Sequence, residues 1–394
     1  MKVLQVIPSL SEFAGGPTIA LEEIERSLTE RGLRVETVTT DDGGPGTRNG
    51  KICGSPILEN GVQRRYFQKR TEFYKAAPSL GRWLRKHIVD YDIVHVHALF
   101  SYASVSACQW ARRRAVPYVV RPLGTLAHYG ITQRRPWLKR LSLDVVERPL
   151  LEGAAAVHFT SGAELIEAQR LNMAMRPVVV PLGIRKSQAG DAARLLRDYP
   201  LMADALRIVY LSRLDPKKNL EGLIRALGIT TRRGLAAAVL VGGSGEPGYV
   251  ARLKALAVAE GVADRVVWLG HVQGARKADL LAAGEVFALP SISENFGIAA
   301  VEALAAGLPC ILGDGIALAV EVESAGAGIG VAPSADAIAA ALEYYAKDPS
   351  LRIKQGLAAR QLYARSFSTE TMGANLEALY CRVLHETGRV QARA

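Results

Sequence analysis

The chain has 394 residues, 49% apolar and 22% charged, with a formal net charge of +11 at pH 7. It is too long for one small core and too apolar for intrinsic disorder, and it points to about two domains. No run approaches ~18 uninterrupted apolar residues, which argues against a membrane-spanning helix. The opening residues carry one Lys and a short apolar run broken by Pro8, so they read as a strand and not a signal peptide. Cys53, Cys108, Cys310 and Cys381 are widely scattered and form no Cys-x-x-Cys. Neither a disulfide framework nor a zinc site is indicated, and a cytoplasmic location is expected.

Strands and helices alternate along the chain. Residues 3–7 predict a strand, followed by the loop Ser9–Pro17 and a helix over 18–31. Residues 34–39 predict the next strand, and the Gly-rich, polar residues 40–62 a long loop. A helix over 71–89 leads to a strand at 92–97. Further strands fall at 117–121, 155–159 and 178–180, with helical segments between the first two. Residues 185–205 are polar and helix-like and read as a linker. Alternation then resumes, with strands at 207–211, 237–241, 265–269, 286–289 and 310–312 and helices at 220–231, 250–260 and 298–306. This order predicts an α/β chain of two doubly wound parallel sheets, whose ligands sit beyond the carboxyl ends of the strands.

Charge is a statement about partners rather than fold. Residues 1–185 hold 26 Lys+Arg and 17 Asp+Glu, a net of +9, while the remainder is nearly balanced. Within 61–86, Arg64, Arg65, Lys69, Arg70, Lys75, Arg82, Arg85 and Lys86 are interleaved with aromatics and face one acid, Glu72. Such a run suits an anionic membrane surface. A solvated helix with its aromatics in the core fits it equally.

Four segments carry candidate chemistry. In Ser291–Pro309, Glu294 and Glu302 stand eight residues apart, at the junction of a strand and a helix that starts near Ile298. The free amides of such a helix start suit phosphate or sugar hydroxyls, and a carboxylate such as Glu302 suits a ribose diol. A capping loop with an exposed helical Glu is the alternative. Arg213 and Lys218 follow the strand at 207–211 and offer fixed charge to phosphate oxygens; a solvated basic turn would look the same. Gly243, Gly245 and Gly248 satisfy G-x-G-x-x-G, with Asp264 19 residues after Gly245. That turn follows the second strand of its half, and Pro247 disturbs the helix start, so a dinucleotide fingerprint is weakly supported. Gly15 and Gly16 follow the first strand, where backbone can approach a ligand or simply turn. His95 and His97 share one face of a strand without a third ligand, so no metal site is expected.

With these residues in place, the chain resembles family 4 of the glycosyltransferases. The resemblance is most specific over residues 207–312, where the Arg/Lys turn, the Gly-Gly-x-Gly turn and the Glu-x7-Glu block follow in the family's order. It implies the GT-B fold: two Rossmann-like domains facing each other across a cleft. The implied division is an acceptor-binding domain at 1–184, a nucleotide-sugar-binding domain at 185–370, and a C-terminal helix at 371–394 crossing back to the first domain. The implied donor is a nucleoside diphosphate sugar, UDP- or GDP-linked. Arg213 and Lys218 would grip its diphosphate without a metal or other cofactor. Glu294 would bond the donor sugar with the amides of Phe296, Gly297 and Ile298, and Glu302 the ribose. Val272 and Lys277 match positions that contact the base, while Gly15 and Gly16 would border the diphosphate. Relatives often end the strand near residue 121 in His-Gly; this chain has Leu123-Gly124. His97, Arg121 and His128 are therefore candidates for that pocket.

The resemblance implies transfer to an acceptor hydroxyl with retained configuration. The basic first half suggests a lipid-linked saccharide acceptor for surface polysaccharide, met at the cytoplasmic membrane face. Nucleic acid is not expected as a partner, because no recognition motif accompanies the charge. A dinucleotide-dependent oxidoreductase and a same-fold nucleotide-sugar epimerase are the rivals.

Overall fold

The computed structural model describes residues 1–11, 15–126, 136–199, 204–294 and 296–389. Two compact units divide it: Met1–Gly183 with Thr369–Ala394, and Ile184–Ser368. Among the described residues, no helix is long and apolar enough to cross a membrane.

Among the described residues, the first unit carries ten strands: β1 (Lys2–Val6), β2 (Arg34–Thr40), β3 (Asp42–Gly44), β4 (Thr47–Arg48), β5 (Pro56–Glu59), β6 (Val62–Phe67), β7 (Ile93–His97), β8 (Tyr118–Arg121), β9 (Ala156–Phe159) and β10 (Pro177–Val179). Eight form one sheet in the order β10-β9-β8-β7-β1-β2-β6-β5. All neighbours in it run parallel except β5 and β6. Val3, Leu4, Val94, Val96, Val120 and Val157 are buried, as a sheet covered on both faces requires. The second unit holds β11 (Leu206–Leu211), β12 (Ala237–Gly242), β13 (Val266–Gly270), β14 (Val286–Leu289), β15 (Cys310–Gly313) and β16 (Gly328–Val331). They form a parallel sheet in the order β13-β12-β11-β14-β15-β16. Counted within the unit this is 3-2-1-4-5-6, so the order reverses between β11 and β14.

Two expectations need correction. Residues 40–62 are not one loop: β3 pairs with β4, and β5 pairs with β6. Nor do 71–89 form one helix, because the helix is Pro78–His87, preceded by turns in which Tyr74 and Lys75 have positive φ. The first part of the basic run is consequently partly internal. Arg64 lies in β6, 4% exposed, and pairs with Glu25, which is 1% exposed. Thr37 donates to Glu25 at 2.5 Å. Lys69 is buried between Asp42 and Glu72, 2.7 Å from each, and Lys75 also pairs with Asp42. The Arg65 guanidinium sits 5.4 Å from the centre of the Trp83 ring. The periodicity of polar residues hid this, because a buried ion pair reads from sequence as two surface charges.

Removing one partner of a buried pair strands the other charge without water. Arg64→Met is therefore expected to cost about 3–5 kcal/mol in urea unfolding. The double variant Arg64→Met/Glu25→Leu should recover most of that loss, and an unchanged midpoint in the single variant would contradict the pairing.

Candidate functional site

The reversal point of the second unit gathers the strand-end loops after β11, β14, β15 and β16. Asn219 sits at its centre with φ +56°, and its side chain accepts from the Gly222 amide to cap the helix Leu220–Arg232. The same side chain donates to the carbonyls of Pro290, at 3.1 Å, and Pro333, at 3.0 Å. The Ile292 amide donates to the Lys217 carbonyl at 2.8 Å, and the Glu294 amide to the Gly315 carbonyl at 3.1 Å. Four loops are thus tied into one surface by backbone and one amide. In the sequence, an Asn just before a periodic apolar run is a helix-start signal, but nothing local shows the two carbonyls that its amide reaches.

On that surface, Lys218 forms an ion pair with Glu294. Burial and the neighbouring Arg213 guanidinium pull the Lys218 ammonium down to about 8. Arg213 is exposed and has no ion pair among the described residues. Lys277, on the helix Gly274–Ala283, pairs with Glu302 at 2.5 Å. Glu302 is one turn into the helix Ile298–Ala306. Gly297 caps this helix with φ +86° and no side-chain hydrogen bond, so among the described residues its first amides have no side-chain cap. Phe296 and Val272 are buried, and Phe296 packs edge-on against Phe367 at 5.9 Å. The structure therefore pairs Lys218 with Glu294 and Lys277 with Glu302. Asn295 lies outside the described residues.

The glycine turn after β12 does different work. A Cβ on Gly243 would lie 1.8 Å from the Ser212 carbonyl oxygen, and one on Gly245 2.3 Å from that of Leu214. These glycines let the β12 loop press against the β11 loop that carries Arg213. The helix that follows, Pro247–Ala259, is capped by Glu246, which accepts from the amides of Gly248 and Tyr249. A carboxylate occupies the place a dinucleotide pyrophosphate would need, so the oxidoreductase reading loses its support.

The first unit holds a separate polar set. His97 and Arg121, at the ends of β7 and β8, are buried together with His95 and His158. The Tyr380 hydroxyl donates to His95 Nδ1 at 2.7 Å, His95 Nε2 to His158 Nδ1 at 3.3 Å, and His158 Nε2 to the Val180 carbonyl at 2.8 Å. That direction of donation is the one the final carbonyl acceptor imposes. Arg121 approaches His97 Nδ1 at 3.4 Å, and His97 Nε2 donates to Gln5 Oε1 at 2.6 Å. Burial, with the Arg121 charge nearby, holds all three histidines well below their usual range. Burial brings the Arg121 guanidinium down to about 10, and its Nε has no partner in the described structure. Ala98, Phe100 and Leu123 all have positive φ at these strand ends, a mark of a constrained site. Gly15 precedes the helix Gly16–Glu30 with φ +61° and no side-chain cap. His128 lies outside the described residues. Among the described residues, no group of three His, Cys, Asp or Glu is placed to hold a metal ion.

Comparison with known proteins shows the family and the fold. The family model for glycosyl transferases group 1 matches residues 195–362, and that for a glycosyl transferase 4-like domain matches residues 15–183. The chain belongs to the group 1 glycosyltransferases. A D-inositol 3-phosphate glycosyltransferase of Streptomyces scabiei is 31% identical over 218 residues, 53% of this chain and 48% of the relative. The match spans about half or less of the length of such curated relatives. Among solved structures, a sucrose-phosphate synthase from Thermosynechococcus elongatus has a TM-score of 0.78 at 20% identity, covering 98% of this chain and 100% of its own. HepE of Anabaena, solved in complex with UDP, has a TM-score of 0.78 at 20% identity, covering 97% of this chain and 100% of its own. The fold is the GT-B fold, with two Rossmann-like domains.

Asn219→Ala removes a cap and two donors at once. It should lower stability by about 2 kcal/mol in urea unfolding. Asn219→Asp keeps the cap acceptor but loses both donors and should fall between wild type and Ala.

Proposed function

We propose that the chain moves a glycosyl group from a nucleoside diphosphate sugar, UDP- or GDP-linked, to an acceptor hydroxyl with retention of anomeric configuration. The observation that carries this reading is the uncapped start of the helix Ile298–Ala306, flanked by Lys218–Glu294 and Lys277–Glu302 at the reversal point of the sheet. A helix start with free amides attracts anions, and adjacent fixed cations strengthen that attraction. In the proposed assignment, Arg213 and Lys218 hold the donor diphosphate and stabilise the charge that develops on it as the glycosyl bond breaks. Glu294 positions the donor sugar, with the amides of Gly297 and Ile298. Glu302 takes the ribose hydroxyls, and Val272 and Lys277 border the base. The first unit supplies the acceptor site; of its residues, Gly15 and Gly16 are assigned to donor binding and His97 and Arg121 to the pocket. No metal or cofactor is assigned a role, because the diphosphate charge falls to Arg213 and Lys218.

HepE has also been solved in complex with UDP-glucose, which supports a UDP-sugar donor by likeness of fold alone. The net charge of +9 on residues 1–185 supports an anionic acceptor. We assign that acceptor to a lipid-linked saccharide, met at the cytoplasmic face of an anionic membrane, in surface polysaccharide synthesis. A second reading, a phosphorylated polyol in solution, is favoured by the name of the curated D-inositol 3-phosphate relatives.

A thermal-shift screen with UDP-, GDP- and ADP-sugars tests the donor, because a ligand that binds only the native state raises the melting point. Lys218→Ala and Glu294→Ala should fold and lose about 10²–10³ in turnover, as loss of one preorganised charge does elsewhere. Near-normal turnover in either variant would remove its role. The ammonium of Lys218 is charged below its pKa of about 8 and neutral above it. Nucleoside diphosphate affinity should therefore decline from about pH 7 to about pH 9 in the wild type, and stay flat in Lys218→Arg.

A further inference from the structure

The basic run at 64–86 is the sequence's candidate for a membrane surface, and part of it is spent inside the protein. Arg64, Lys69 and Lys75 are in ion pairs, Tyr66 and Phe67 are buried, and Trp83 packs against Phe67 and His87. What remains outside on the helix Pro78–His87 is charge from Arg82, Arg85 and Lys86, with Leu80 and Leu84 turned into the core.

A different element of the same unit shows the reverse pattern. The helix Pro136–Ser142 continues through a π-helical turn, Leu143–Glu147, into Arg148–Glu152. Its inner face is fixed: Leu143 and Glu147 are buried, and Glu147 accepts from the Tyr74 hydroxyl at 3.0 Å and the Phe100 amide at 3.1 Å. Its outer face carries Trp137, Leu141 and Val145, spaced by four and 67%, 56% and 66% exposed. Three large apolar side chains in line on one exposed helix face are not ordinary surface scatter. Beside them, Val145, Val146 and Pro149 form one wall of a groove of about 500 Å³, and Arg112 and Arg113 belong to its lining. Arg112, Arg113, Arg114 and Arg140 are all exposed, while the acids Asp144 and Glu152 both lie against Arg148, at 3.0 and 4.0 Å.

We infer that this face, Trp137–Leu141–Val145 with Arg112, Arg113 and Arg140, is the surface by which the chain docks on an anionic lipid bilayer. The inference rests on the membrane reading given under the proposed function and names the surface that performs it. An amphipathic element lies in a bilayer interface with its apolar side chains among the acyl chains and its cations among headgroup phosphates. Trp suits that boundary, because its ring is apolar and its N–H reaches water or a headgroup. The charge complementarity selects a bilayer over an apolar protein partner: the apolar row is edged by guanidinia that would repel a second copy of the same basic face.

The test is co-sedimentation of the full chain with phosphatidylglycerol/phosphatidylcholine vesicles and with pure phosphatidylcholine vesicles at low salt. The wild type should bind the anionic vesicles, and its tryptophan emission should shift to the blue. Trp137→Ser/Leu141→Ser/Val145→Ser should lower vesicle partitioning at least about tenfold with an unchanged melting point and unchanged UDP binding. Arg112→Gln/Arg113→Gln should weaken binding and flatten its salt dependence, whereas Arg82→Gln/Arg85→Gln/Lys86→Gln should change it less than about threefold. If the wild type ignores anionic vesicles, the membrane reading itself falls, and this surface with it. If the wild type binds and the triple Ser variant binds as well, the membrane reading stands and only this surface falls. Equal binding to pure phosphatidylcholine would overturn the role of the cations. Conversion of a wild-type dimer to a monomer by the triple Ser variant would overturn the proposal by making the row an interface between copies.

Discussion

The second unit depends on bringing four strand-end loops within hydrogen-bond reach of one another. Asn219 does most of this, because one side chain closes a helix and holds the loops after β14 and β16 at the same time. The approach is possible only where side chains are absent. A Cβ on Gly315 would lie 2.0 Å from the Ile292 carbonyl oxygen, and one on Gly313 2.2 Å from that of Ser291. Close backbone packing then holds Lys218 and Glu294 in position through their main chains. Sites held this way need little reorganisation when charge develops.

That fixed frame explains why the candidate site is a set of pairs and not a patch of charge. Partly buried ions cost free energy unless each has a partner. Lys218 has Glu294 and Lys277 has Glu302, so the site is nearly neutral in the free protein. A bound diphosphate would add negative charge beside Arg213 and the uncapped amides of the helix Ile298–Ala306. Lys218, whose ammonium is already destabilised by burial and by Arg213, gains most from that anion. The carboxylates keep the cations oriented in the meantime.

Parts of this were legible in the sequence because they depend on local pattern. The apolar runs that become β11, β12, β14 and β15 are bounded by turn residues and read directly, and so does the helix starting at Ile298. β16 (Gly328–Val331) was not legible: two glycines leave it too little apolar pattern. The Glu294–Glu302 spacing pointed to a helix start, yet their actual partners, Lys218 and Lys277, are remote in sequence and meet only through sheet order. The turn at Gly243 looks like a phosphate loop and is packing between two loops, a distinction that needs the neighbouring carbonyls. In the first unit, His158 and Tyr380 join His95 across long separations, which no spacing rule anticipates. The net charge of +11 misled most about place. Of the two cations in β6, Arg64 is internal and Arg65 half-buried, and the exposed apolar row from Trp137 to Val145 is a feature that a charge count does not register.

The central claim is that the surface around Glu302, Lys277 and Lys218 receives a nucleoside diphosphate, with Glu302 on the ribose. The most direct measurement is a calorimetric cycle. Wild type and Glu302→Gln are titrated with the best binder among UDP, GDP and ADP, and with its 2′,3′-dideoxy analogue. The account predicts that the wild type prefers the ribose form by about tenfold or more, as a lost charge-assisted hydrogen bond implies, and that Glu302→Gln loses most of this preference. An equal preference in both proteins would contradict it.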